Sequence, residues 1–104
     1  MLDVKTWLET TGLDVGYVSF ESPPPLPYIV YMEDVDCFGS DFSNDLVDRS
    51  FSVELYSRKP GSNAENLIEA LLDEKAFNYT KNTMWLSSER CHMTVYNFTF
   101  TERK

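Results

Sequence analysis

Residues 51–72 read FSVELYSRKPGSNAENLIEALL, and the fold turns on them. Phe51, Val53 and Leu55 alternate with Ser52, Glu54 and Tyr56, the period of two that marks a strand with one apolar face. Arg58, Lys59, Pro60 and Gly61 break the alternation as a turn. Ser62 with Glu65 three residues later is a capping box, in which each side chain can satisfy a backbone N–H that the first helical turn leaves free. Ala64, Leu67, Ile68, Leu71 and Leu72 then recur at helical spacing, and Glu65, Glu69 and Asp73 take the opposite side. A helix with such a stripe needs a sheet to lie on, and the strand before it is the first member of that sheet.

Working outward, Asp3 is a candidate N-cap for a helix over Val4–Thr11, with Leu2 and Trp7 placed as a hydrophobic staple and Gly12 as its C′ residue. Val15–Phe20 reads as a short extended segment. Four prolines at 23, 24, 25 and 27 follow; they cannot donate ladder hydrogen bonds and predict a stiff connector. Tyr28–Met32 is apolar on both sides, as expected of a strand covered on both, in a chain this short by its own helices and by another subunit. Phe77–Tyr79 and Met84–Leu86 read as short strands. Cys91–Thr101 reads as a long one, with His92, Thr94, Tyr96, Phe98 and Phe100 on one side. The expected fold is therefore α+β over a single domain, 1–104: a largely antiparallel sheet of about four to five strands with two helices packed on one face. Leu8, Leu67, Ile68, Leu71 and the Phe51–Leu55 alternates are the expected core.

Charge is the unusual feature. The chain carries 9 basic and 17 acidic residues. Residues 1–48 hold ten of the acids and one base, Lys5. A net charge of −8 argues against binding nucleic acid through general phosphate attraction. Segregated charge points to a partner surface, or to a solvated acidic face. Residues 33–48, EDVDCFGSDFSNDLVD, hold six acids and no base. They read as a long loop, and long loops in compact domains tend to carry function. Asp34, Asp36, Asp41 and Asp45 lack the D-x-[DN]-x-[DN]-G frame of a calcium loop, so no metal is expected. Phe38 and Phe42 within the acids mark a contact surface.

Catalytic patterns are weak. His92 is the one histidine, set mid-strand, and the four glycines form no G-x-G frame. The expectation is a non-enzyme without cofactor. Cys37 and Cys91 are too few for a disulfide scaffold and are expected as free thiols. No apolar run approaches the roughly 20 residues of a membrane span, and the start, Met1-Leu2-Asp3-Val4-Lys5, lacks a signal-peptide pattern. No membrane partner is expected, and synthesis is expected in the cytoplasm.

The helix Leu2–Glu9 leading to Gly12-Leu13, the phrase Leu26-Pro27-Tyr28-Ile29-Val30-Tyr31, the long segment to Val53-Glu54-Leu55-Tyr56, the capped helix and the aromatic final strand occur in one order. In this the chain resembles the small tail-completion proteins of long-tailed bacteriophages and Gram-positive prophages, a group that includes tail terminators and head-to-tail joining proteins. The resemblance implies a homo-oligomeric ring, a hexamer, that caps the tail tube, docks it to the head connector and lets DNA pass. Its partners would be tail-tube and head-connector proteins, and its place in the virion the tail or neck. It implies no cofactor and no catalytic residue. It puts residues 33–48 where a long interstrand loop reaches a ring neighbour or the lumen. On that footing Phe38 and Phe42 are candidate neighbour contacts. Asp34, Asp36, Asp41, Asp45 and Asp48 are candidate lumen-facing acids, which would repel the duplex weakly and let it slide. The alternative from a different class is an acidic inhibitor that mimics DNA and blocks a nucleic-acid-binding protein.

Overall fold

The computed structural model describes residues 1–39 and 45–103. The elements run α1 (Val4–Glu9), β1 (Asp14–Tyr17), β2 (Tyr28–Phe38), β3 (Leu46–Ser57), α2 (Asn63–Glu74), β4 (Tyr79–Leu86) and β5 (Cys91–Arg103). The strands form one sheet in the order β1-β2-β3-β5-β4, with β1 parallel to β2 and every other pairing antiparallel. The fold is α+β.

The ladder fixes which side chains share a side of the pleat. Ile29 opposes Leu55 and Leu55 opposes Thr94; Tyr31, Val53 and Tyr96 form the next row, and Phe51 opposes Phe98. These residues are buried together with Val4, Trp7 and Leu8 of α1 and with Ala64, Ile68 and Leu72 of α2 in one cluster. Trp7 meets Phe77 and Phe98 edge-on, at 5.9 and 6.2 Å between ring centroids. The buried phase of β3, Val47 through Ser57 at every second residue, is the alternation seen in the sequence.

Several boundaries differ from the sequence expectation, each for a local reason. Helix α1 stops at Glu9, because the Thr10 and Thr11 hydroxyls turn back onto the Trp7 and Leu8 carbonyls (2.6 and 2.7 Å) and Gly12 takes φ +84°. Strand β1 ends at Tyr17 rather than Phe20, because Val18 sits at φ +68°. That kink turns the chain across the other side of the sheet, where Phe20 lies against Gly16 and meets Tyr28 edge-on at 5.5 Å. The chain's own residues 18–23 thus flank Tyr28 and Val30 around a cleft of about 210 Å³, a place where another subunit was expected. Phe77 and Asn78 precede β4 instead of belonging to it, and residues 79–86 are one strand, not two.

Helix α2 is rotated from the expected stripe. Ala64, Glu65, Ile68 and Leu72 are buried, Leu71 is half-buried and Leu67 is exposed. The helical spacing puts Glu65 on the solvent side, but it is buried. Its burial is tolerated because its carboxylate accepts from the Gly61 and Ser62 amides and from Lys81 at 2.8 Å. The capping box is present, and its glutamate half is the better formed. The Glu65 amide bonds the Ser62 carbonyl at 3.1 Å, and Ser62 Oγ is buried without a well-formed partner.

The largest correction concerns residues 33–48. Most of the expected loop is strand: β2 continues to Phe38 and β3 begins at Leu46, paired in register from Tyr28↔Tyr56 to Phe38↔Leu46. Cys37 accordingly lies on a strand, exposed; Cys91 is buried, and both are free thiols. Glu33, Val35 and Cys37 point to the helix side and Asp34, Asp36 and Phe38 to the other, so the period of two was there. Charge hid it, because strands that extend past their covering helices can carry acids on either side.

Candidate partner surface

Strand β1 pairs with β2 only as far as Tyr31, and β4 pairs with β5 only as far as Phe98. Beyond those points the sheet narrows to β2, β3 and β5, a three-stranded arm. The radius of gyration is 14.9 Å and the longest extent 51 Å, against about 13 Å for a compact domain of this length. The arm accounts for the difference.

The arm's side away from the helices carries three of the proposed acids. Asp34 opposes Ser50, and Asp36 opposes Asp48 directly across the β2–β3 ladder. Phe38, 42% exposed, opposes Leu46 at the tip on that same side. Asp48 accepts a hydrogen bond from Thr101 Oγ1, and Ser50 Oγ accepts from Thr99 at 3.1 Å. Asp45 differs from the others: its carboxylate is met by Arg103 at 3.3 Å. Asp41 and Phe42 lie outside the described residues. Phe38 thus shares a surface with Asp34, Asp36 and Asp48. Val35 is exposed on the opposite side of the arm.

Toward the middle of this open side lies a shallow groove of about 650 Å³, lined by Met32, Asp34, Ser50, Ser52, Asn97 and Thr99 among others. Its donors and acceptors are hydroxyls and amides with a single carboxylate. Among the described residues no group of three or more His, Cys, Asp or Glu is arranged to hold a metal ion, and no helix is long and apolar enough to cross a membrane.

Two ion networks lock the arm and α2 in place, and the sequence reading named neither. Arg49 is buried at the root of the arm, on the helix side. Its guanidinium donates to Glu33 at 2.6 Å, to Glu102 at 2.7 Å and to the Leu2 carbonyl at 2.7 Å, and lies over the Phe51 and Phe100 rings at 5.0 and 5.4 Å. Burial alone would lower the Arg49 pKa; its hydrogen bonds to Glu33 and Glu102 outweigh that and raise it. Burial raises the Glu102 carboxyl, but the bonds from Arg49 and from the Leu2 amide (2.9 Å) outweigh it, and the net shift is down. In the second network Lys81 of β4 bridges Glu65 and Glu69 of α2, 2.8 Å from each, and Tyr96 donates to Glu69 at 2.8 Å. The signal for Arg49 was legible: it occupies the buried phase of β3, between Val47 and Phe51, where a charge requires a partner.

No protein-family model matches the chain, and no curated protein matches it.

Proposed function

We propose that the protein is a self-assembling structural subunit: a ring-forming tail terminator or head-to-tail joining component that caps a phage or prophage tail tube and docks it to the head. The observation that supports this reading is the β2–β3 arm. It extends the sheet beyond its helices, exposing Val35 on one side and Phe38 on the other, where Asp36 and Asp48 oppose each other. Such a projection is poorly suited to a monomer, since exposed apolar side chains at the end of a lever are stabilised by a neighbour, and acids at the same place tolerate DNA without gripping it. The DNA-mimic alternative calls for a longer stripe of one sign. Here Arg103 interrupts the stripe at Asp45, and Ser50, Ser52 and Thr99 dilute it.

The test is direct. Purified protein is mixed with terminator-deficient tail tubes and examined by electron microscopy and by mass. The expected result is a ring of several 12.1 kDa subunits at the tube end. Phe38→Ser should impair that assembly. The triple change Asp34→Lys, Asp36→Lys, Asp48→Lys should leave rings intact but slow DNA release. A protein that neither self-associates nor binds any tube sinks the reading.

A further inference from the structure

We propose that β4 is a self-association edge, at which two copies of this chain join their sheets antiparallel about a twofold axis. Among the described residues the sheet has four stretches of free edge, and three are guarded. The β2 edge past Tyr31 carries Asp34 and Asp36. The β5 edge past Phe98 ends in Arg103, whose side chain is 75% exposed. The β1 edge is four residues long and is cut off by the kink at Val18. Charged side chains, short length and distortion are the usual means of keeping an edge from pairing with another chain.

Strand β4 has none of them. It is eight residues long, YTKNTMWL, without proline or acid. Its one charge, Lys81, does not guard the edge, because the ammonium is held by Glu65 and Glu69 on α2. Met84 and Trp85 are 47% and 55% exposed on opposite sides of the pleat, in a strand that is otherwise Tyr, Thr, Lys, Asn and Leu.

The occupant follows from charge and from register. A chain of net charge −8 associates with itself most easily where its acids are distant or held by a cation, and Glu65 and Glu69 beside β4 are both held by Lys81. Asp34 and Asp36 on β2 are three strands from β4, about 14 Å at the usual strand spacing and beyond the Debye length of about 8 Å at physiological salt. To keep the helix side continuous across the axis, residues on the same side of the pleat must oppose one another. Centring the pair on Asn82 meets that condition. It places Lys81 opposite Thr83 of the second copy, Thr80 opposite its Met84, and Tyr79 opposite its Trp85, so that two aromatic cross-strand pairs form. A twofold contact of this kind does not build a ring, which needs a head-to-tail contact, so the inference stands apart from the ring reading.

The experiment measures mass by light scattering across a concentration series of roughly 10 to 500 μM, since an edge contact alone falls below a standard interface and forms a weak dimer. The expected result is a rise from 12.1 kDa to twice that value. The rise should be abolished by Asn82→Lys with Met84→Lys, while circular dichroism and the thermal midpoint stay unchanged. Asn82→Cys in a Cys37→Ser background should capture the dimer as an intermolecular disulfide under mild oxidation, the exposed Cys37 thiol being removed. A monomer throughout the series, or an oligomer that the lysine pair leaves intact, overturns the proposal. Ring formation on tail tubes is scored separately and can fail or succeed without altering this result.

Discussion

Asp36 of β2 and Asp48 of β3 oppose each other across the ladder, and among the described residues neither has a salt-bridge partner. Like charges at directly opposed positions destabilise a sheet by roughly the 0.2–1 kcal/mol that a favourable pair contributes. Asp36→Lys should therefore stabilise the protein by about 0.5 kcal/mol in urea denaturation at low salt. Raising the salt should narrow the gap between variant and wild type, because screening relieves the repulsion. A variant less stable than wild type at every salt concentration would show that the pair is relieved in some other way.

Leu72 and Leu67 lie on the same helix with opposite fates, Leu72 being 1% exposed and Leu67 36%. Truncating a leucine in a packed core costs about 2–5 kcal/mol, from lost transfer energy and the cavity left behind. Leu72→Ala should fall in that range. Leu67→Ala should change stability by no more than about 0.5 kcal/mol, as is usual for surface substitutions. Thermal melts of the two variants check the rotation of α2, and equal losses would contradict it.

The end of α2 is a Schellman turn: the Phe77 amide bonds the Leu72 carbonyl at 3.0 Å and the Ala76 amide bonds Asp73 at 3.0 Å. The residue between them in the left-handed region, usually glycine, is Ala76 at φ +56°. A Cβ in that conformation costs roughly 1–2 kcal/mol, against a smaller entropy penalty for glycine in the unfolded chain. Ala76→Gly should stabilise by about 0.5–1 kcal/mol. Equilibrium denaturation that gives no gain or a loss contradicts this account of the turn.

The Lys81 bridge gives stability a defined pH window. Its hydrogen bond to Glu69 lowers that carboxyl below its ordinary 4.5, with the Tyr96 hydroxyl helping and burial opposing. Bonds to Glu65 and Glu69 raise the Lys81 ammonium above its ordinary 10.5. A depressed carboxyl stabilises the fold above its unfolded pKa and loses that contribution as pH falls through the folded value. A raised ammonium stabilises it below its unfolded pKa and loses that as pH rises through the folded value. The stability difference between wild type and Lys81→Met should therefore be flat between about pH 5 and 10 and shrink outside those limits. Urea denaturation from pH 3 to 11 measures it; a difference that grows toward either extreme contradicts the bridge.

How much of this was legible depended on what each residue's alternation had to compete with. Phe51, Val53 and Leu55 could be read directly, because an uninterrupted period of two with one apolar phase has a single physical solution. The turn and cap around Ser62 and Glu65 were equally local. Helix α2's rotation was not, because Leu67 and Leu72 are equally apolar and the burial of Glu65 rests on Lys81, a partner 16 residues away. The 33–48 segment failed for the opposite reason: its alternation was present but written in acids, which strand propensity penalises. In the candidate surface, Asp34, Asp36 and Asp48 came together because register does what spacing cannot. Asp45 is met by Arg103, a partner 58 positions away.

Strand β5, last in the chain, is inserted between β3 and β4, and this sets the order in which the molecule can assemble. The β2–β3 and β4–β5 hairpins form from neighbouring residues. The seam between them joins Ser57 to His92 and Leu46 to Arg103, and closing it spends loop entropy before its contacts repay the cost. Seam closure is therefore the slow step, and folding speed resides in Val53 and its neighbours on either side of it. Stopped-flow measurements should find that Val53→Ala chiefly slows refolding, whereas Val15→Ala in β1, added at the far edge, chiefly accelerates unfolding. The reverse pattern would place the sheet's far edge, and not its middle, at the start of folding.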